Sequence, residues 1–342
     1  MSASSFAAKL STGTVPWVRA HFPGLMFSAV VALAATFLSE HYGAPTMLFA
    51  LLLGMAFNFL AQEPRFAAGI AFAARQVLRV GVALLGARIT FDHVVGLGWG
   101  ALAGVAAAVG LTIGFGALGA QMLGLRTRFG ILSAGATAIC GASAAAAISA
   151  VLPRYDEQER DTAFTIIGVT TLSTVAMVLY PIIATAFGWS DTETGIFLGG
   201  TIHDVAQVVG AGYSVSNEAG DTATIVKLLR VALLVPTVLL IALAARRVAP
   251  TTAKRPSLVP GFLVAFVAIV VLNSLGLVPQ AATAAMTAAS SWCIVIAISA
   301  LGVKTALGSL LSVGHRAIGL IVVETAFIAA VVIAVLSAIR GA

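Results

Sequence analysis

Eleven apolar stretches, each close to the length of a bilayer crossing, recur along the 342 residues with only short polar links between them. A crossing needs about twenty apolar residues. With no water in hydrocarbon, every backbone N–H and C=O there must be bonded internally, so a chain of this pattern has to be a helical membrane body. The stretches run at about 23–40, 45–61, 71–90, 98–121, 130–151, 162–187, 193–213, 223–246, 258–277, 285–304 and 316–339. Hydrophobic residues make up 60% of the chain and charged residues 9%, against roughly a quarter charged in an average soluble domain. A soluble fold is thereby excluded.

The basic residues set an expected orientation. With the N-terminus in the cytoplasm, Lys9, Arg19, Arg65, Arg75, Arg126, Arg128, Arg246, Arg247, Lys254, Arg255, Lys304 and Arg316 fall inside, and only Arg88, Arg154, Arg160 and Arg340 outside. Such an excess of Lys and Arg inside is the ordinary topological signal, and it predicts a periplasmic C-terminus. Residues 1–22 read as a cytoplasmic segment retained before the first span, because they hold no cleavable apolar core. Residues 23–342 read as one transmembrane domain whose longest polar link is Arg246 to Ser257. The net charge of +6 is spread between the spans, so nucleic acid is not an expected partner. Cys140 and Cys293 each sit in an apolar run, which supports neither a disulfide framework nor a metal site. No cofactor is expected.

Transporters often contain two related halves, and three short matches suggest them here. Leu52–Asn58 aligns with Leu198–Asp204 at an offset of 146, Leu78–Val80 with Leu229–Val231 at 151, and Ala138–Cys140 with Ser291–Cys293 at 153. They pair the second stretch with the seventh, the third with the eighth and the fifth with the tenth. The expected fold is therefore all-α, with about eleven transmembrane helices: one leading helix, then two inverted five-helix repeats over about 45–187 and 193–339. Helices five and ten should be discontinuous and crossed. In helix five, Gly135 to Ser143 (GATAICGAS) is rich in small residues; its counterpart in helix ten is Ala288 to Cys293 (AASSWC). A break in each would expose backbone N–H groups and the positive end of a half-helix, a natural seat for an anion. Close packing of continuous helices through small residues is the alternative.

Ionisable groups within a bilayer are costly and tend to face an interior cavity. Arg79, His203, Asp204, Lys227, Arg230 and Glu324 are such groups. His203 and Gln207 are four apart and Asp204 and Gln207 three apart, so a continuous helix seven would gather them on one side. Lys227 and Arg230, three apart, share a face in the same way. One reading pairs Asp204 with Arg79, Lys227 or Arg230 simply to neutralise it. The other lets the cations attract an anion while His203 and Asp204 exchange protons, His having the unperturbed pKa nearest neutrality. Glu324 and Arg88 are weaker candidates, the first paired internally and the second snorkelling to the outer edge.

These segments resemble the YeiH-type sulfate exporter family, bacterial inner-membrane proteins of the conserved hypothetical class. The resemblance runs from LRVGVALLGAR (Leu78–Arg88) through AICGAS (Ala138–Ser143) and TIHDVAQV (Thr201–Val208) to DTATIVKLLR (Asp221–Arg230). Asp204 departs from it, since Glu is common at that place in the family. The resemblance implies export of a small inorganic sulfur oxyanion, sulfate or sulfite. Joined to the residue pattern, it predicts a proton-coupled secondary transporter working by alternating access, with the lipid bilayer and a second copy of the chain as further partners. Substrate would meet Arg79, Thr137, Cys140, Gly141, Ser143, Ser290, Ser291, Lys227 and Arg230; protons would pass through His203, Asp204 and Gln207. A cation–proton antiporter with Asp204 as ligand is the competing reading. An intramembrane enzyme is not expected, because the chain has no Asp-rich diphosphate motif, Gly-x-Gly-Asp pair or His-Glu-x-x-His site.

Overall fold

The computed structural model describes residues 3–42, 46–153, 155–246, 261–304 and 315–340. Among them there is no strand. In order the helices are α1 (Ala3–Tyr42), α2 (Thr46–Ala56), α3 (Pro64–Phe72), α4 (Leu78–Leu85), α5 (Phe91–Gly96), α6 (Trp99–Met122), α7 (Thr127–Ala138) and α8 (Ala142–Val151). They continue as α9 (Gln158–Ala186), α10 (Asp191–Thr201), α11 (Val205–Val215), α12 (Asn217–Ala232), α13 (Leu234–Arg246), α14 (Gly261–Ser274), α15 (Gln280–Lys304) and α16 (His315–Arg340). Each predicted stretch is helical over most of its described residues. Seven helical segments among the described residues are long and apolar enough to cross a membrane: Trp17–Tyr42, Pro64–Leu85, Trp99–Met122, Gln158–Ala186, Asn217–Ala244, Gln280–Lys304 and Arg316–Arg340. Large apolar side chains such as Leu33, Phe37, Leu118, Met122, Ile182 and Leu240 lie on their outer faces, which lipid tolerates and water does not.

The side chains of Lys9 and Arg246, all of Arg154, and the link from Arg247 to Ser257 with Lys254 and Arg255 lie outside the described residues. Helix α1 begins twenty residues before the predicted first span.

Contacts divide the chain into two compact units, one holding α1–α4 with α15 and the other α5–α14 with α16. In the first unit α15 runs against α2 and α4. Gly54 and Gly302 let α2 and α15 meet backbone to backbone, since a Cβ on Gly54 would come within 2.9 Å of the Gly302 Cα. Ile70, Ala73, Ala74, Ala300 and Val303 form the core of this unit. A π-helical turn, Ala73–Val77, joins α3 to α4, and Arg79 follows it on an exposed face.

The expected break in helix ten is absent, because α15 is continuous from Gln280 to Lys304. Ala288–Cys293 contains no Gly or Pro, and its serines donate to backbone carbonyls. Ser291 Oγ donates to the Thr287 carbonyl one turn back (3.1 Å), and Ser290 Oγ donates to the Gly81 carbonyl of α4 (2.6 Å). Ser290 is buried within the first unit and Ser291 is exposed on α15, and the break expected to pair helix ten with helix five is not there. The interrupted pair is helices five and seven, both in the second unit: α7 stops and restarts as α8, and α10 stops and restarts as α11.

Candidate functional site: two interrupted helices and two buried cations

The first interruption follows from Gly141. After Ala138, Ile139 leaves helical geometry (φ −110°, ψ −82°) and Gly141 takes φ +63°, ψ −124°. That left-handed φ is open to glycine and penalised for other residues. The second follows from Asp204. Ile202 is extended (φ −62°, ψ 139°), and Asp204, also extended, N-caps α11 by accepting from the Ala206 amide (2.8 Å). Ser173 Oγ of α9 accepts from both the His203 and Asp204 amides (3.2 and 3.1 Å), which holds the second turn open. Residues 127–151 and 191–215 would each span roughly 37 Å as continuous helix at 1.5 Å per residue. Residues 139 and 203 are their midpoints, but neither segment runs straight. Arg126 reaches Glu157 (3.1 Å) and Arg128 the Pro153 carbonyl (3.4 Å), and Thr192 donates to Glu218 (2.5 Å). The ends of each segment therefore meet, and each break is the tip of a hairpin. Arg160, expected outside, shares Glu157 with Arg126, expected inside (2.8 Å).

A helix that ends inside a protein leaves its last carbonyls without partners. Here α12 supplies them. Lys227 Nζ donates to the carbonyls of Ile139 (2.6 Å), Ile202 (2.9 Å) and His203 (2.5 Å). Arg230 donates through Nε to Ala138 (2.7 Å), through Nη1 to Gly199 (2.9 Å) and Ile202 (3.0 Å), and through Nη2 to Thr137 (2.9 Å). Both cations are fully buried. Burying a charge costs several kcal/mol, and a hydrogen bond to a charged group contributes about 1.5–3 kcal/mol. The seven bonds, together with the negative ends of two half-helices, are what make these two positions tenable.

The breaks also bring His203 and Thr137 together. His203 Nδ1 lies 2.9 Å from the Thr137 carbonyl, and Nε2 lies 3.0 Å from Thr325 Oγ1 of α16. Gln207 donates to Thr174 Oγ1 (2.7 Å), while its Oε1 is buried without a hydrogen-bond partner among the described residues. The expectation that His203, Asp204 and Gln207 share one helical side is corrected, since a polar stripe requires the helix that the 202–204 break removes. Cys140 and Gly141 are buried at the first break, whereas Ser143 is exposed in the first turn of α8 and Asp204 is half-buried.

Of the predicted substrate residues, Thr137, Cys140, Gly141, Ser143, Lys227 and Arg230 come together. Ser290, Ser291 and Arg79 belong to the other unit. Arg88 pairs with Asp221 (3.3 Å) over the ring of Tyr213, whose hydroxyl donates to the same carboxylate. Ser133, Ser173, Thr174 and Thr325 were not singled out in the sequence. A sequence signal exists for Ser133 alone, which lies one turn from Thr137 on α7.

The family described as conserved hypothetical protein 698 matches residues 23–321. The UPF0324 membrane protein TauZ of Paracoccus pantotrophus is 56% identical over 92% of this chain and 94% of its own length. UPF0324 membrane proteins of Chlorobaculum tepidum and Pseudomonas putida are 54% and 32% identical, each over 92% of this chain and 88% and 90% of their own. No solved structure matches the chain.

Proposed function

We propose that this chain, which belongs to the conserved hypothetical protein 698 family of UPF0324 membrane proteins, is a secondary transporter. It exports a small inorganic sulfur oxyanion, sulfate or sulfite, across the bacterial inner membrane by alternating access. A cytoplasmic N-terminus and a periplasmic C-terminus follow from the excess of basic residues on one side. Paired interrupted helices at mid-depth are a recurrent way of building an ion site in a transporter.

Charge at the breaks carries the anion reading. Lys227 and Arg230 supply two positive charges and Asp204 one negative. The two helix C-termini contribute about −0.5 each and the two N-termini about +0.5 each, so the dipoles cancel. With His203 neutral and Glu324, which contacts Thr137, protonated, about one positive charge is left over. An anion seated by Ser143 and the first amides of α8 relieves that surplus, and a cation would add to it. Lys227 and Arg230 act from behind, since their donors are directed to carbonyls, and Cys140 and Gly141 shape the turn. The sulfur oxyanion is chosen by the resemblance of the AICGAS and TIHDVAQV segments to sulfate exporters, and His203 and Asp204 relay the coupling proton.

The half-buried carboxylate of Asp204 favours the second reading, a cation–proton antiporter. Proteoliposomes loaded with isotope-labelled sulfate or sulfite under an imposed pH gradient separate the two. Saturable oxyanion flux is expected. Sodium movement that disappears in Asp204→Asn, with no oxyanion flux, would replace the anion reading by the other.

A further inference from the structure

Glu324, on α16, is a buried acid of the second unit, and the bonds that hold the two breaks do not use it directly. Its side chain has no exposed surface. Oε1 accepts from Ser133 Oγ (2.8 Å) and Oε2 makes a long contact with Thr137 Oγ1 (3.5 Å). Among the described residues no cationic side chain forms an ion pair with it. Each element packed on α16 can be checked in turn. From α6 comes Gly116, whose bare backbone admits the carboxylate, since a Cβ there would stand 2.5 Å from Oε1. From α7 come the two hydroxyls. No titratable side chain of α9 or α10 among the described residues is bonded to it. The charged groups of the crossing, Arg230 and Lys227, stand behind Thr137, and His203 lies between Thr137 and Thr325.

We propose that Glu324 is the coupling proton site of this transporter, and that Thr137 carries its charge state to the crossing; this rests on the anion-transport reading. Thr137 is the joint. Its hydroxyl faces Glu324, while its carbonyl is held by Arg230 Nη2 (2.9 Å) and faces His203 Nδ1 (2.9 Å). Thr325, next to Glu324 in sequence, faces the other ring nitrogen of His203 (3.0 Å) and also the Ile321 carbonyl (2.8 Å). One hydroxyl hydrogen cannot serve both acceptors, so the ring's proton and the Thr325 rotor are tied together on the same helix turn as Glu324.

Charge gives the site its function. An ionised Glu324 cancels the surplus positive charge at the breaks, and a protonated Glu324 restores it. The proton and the anion therefore favour each other's binding, and by linkage the effect is reciprocal. They leave together: a divalent oxyanion with one proton still carries one negative charge, which an inside-negative potential drives outward with about 2.3 kcal/mol per 100 mV.

The test uses the full chain in lipid nanodiscs and has two arms. Infrared difference spectra between about pH 5 and about pH 9, the range in which perturbed carboxyls titrate, read protonated carboxyl groups whatever the transported ion. A carbonyl band lost in Glu324→Gln and shifted in midpoint by Thr137→Val is expected; a spectrum unchanged in Glu324→Gln overturns the proposal. In the second arm sulfate, whose own charge is constant over that range, is titrated calorimetrically. One linked proton makes its affinity rise about tenfold per pH unit as pH falls, and Glu324→Gln should flatten that slope. A slope that survives in Glu324→Gln also overturns it. If the wild-type chain binds no sulfate, the transport reading fails and the infrared arm still decides the proton site. If Glu324→Gln does not fold, Thr137→Val decides, an unmoved midpoint counting against the proposal.

Discussion

Lys227 and Arg230 share an acceptor, the carbonyl oxygen of Ile202, at 2.9 and 3.0 Å. Two cations one helical turn apart would ordinarily repel, and the shared carbonyl shows what holds them: the negative ends of α7 and α10 converge on one face of α12. Removing either cation therefore strips donors from buried carbonyls. Lys227→Met takes the ammonium from Ile139 and His203, and each carbonyl left unsatisfied costs about 1–3 kcal/mol. Arg230→Lys keeps the charge but loses the planar fork that reaches four carbonyls at once. Both variants should lower the thermal midpoint of the purified protein by several degrees, Arg230→Lys included. A midpoint for Arg230→Lys equal to wild type would mean that charge alone suffices.

Gly141 provides a cleaner backbone test, because a Cβ there would meet nothing closer than 3.8 Å. Gly141→Ala adds no clash and only forces alanine to φ +63°, a strain of about 1–3 kcal/mol. The expected result is a modest loss of thermal stability with a larger loss of oxyanion flux, as α8 is re-aimed. Unimpaired flux would show that the turn tolerates another geometry and that the direction of α8 is not critical.

Helix content was legible in the sequence because apolar length alone dictates it in a membrane. The break at Gly141 was legible too, through its run of small residues. The break at 202–204 was not, since His203, Asp204 and Gln207 sit at spacings that a continuous helix would also favour. What opens that turn is Ser173, thirty residues earlier on α9, accepting from two amides, and no local pattern reports such a contact. The false break in helix ten has a related origin: Ser290 donates to the Gly81 carbonyl of α4 and Ser291 to the Thr287 carbonyl one turn back, and such back-bonding bends a helix without ending it. Lys227 and Arg230 were found by their cost in a bilayer. Their acceptors were not, because backbone carbonyls leave no mark in a sequence.

Accessibility at the first break can be read chemically. Ser143 is exposed and Cys140, two residues before α8 begins, is buried. In a Cys293→Ser background, Ser143→Cys should react with a small maleimide while native Cys140 stays unmodified, and sulfate should slow the reaction at 143. Labelling of Cys140 at a comparable rate would contradict the burial seen here. Labelling at position 143 that sulfate leaves untouched would detach Ser143 from the anion seat.

Asp204 separates charge from structure, since asparagine caps a helix about as well as aspartate does. Asp204→Asn should keep the bond to the Ala206 amide and leave the thermal midpoint nearly unchanged, whereas Asp204→Ala should cost about 1 kcal/mol through the lost cap. The electrostatic effect runs the other way. Removing the Asp204 carboxylate raises the surplus positive charge, so Asp204→Asn should bind sulfate more tightly than wild type, by a factor that shrinks as salt is added and screens the site. Transport need not rise with it, because a tighter site releases its ion more slowly. Calorimetric titration with sulfate at two salt concentrations checks the sign, and weaker binding in Asp204→Asn at low salt would show that the carboxylate helps hold the ligand, which only a cation or a protonated anion would require.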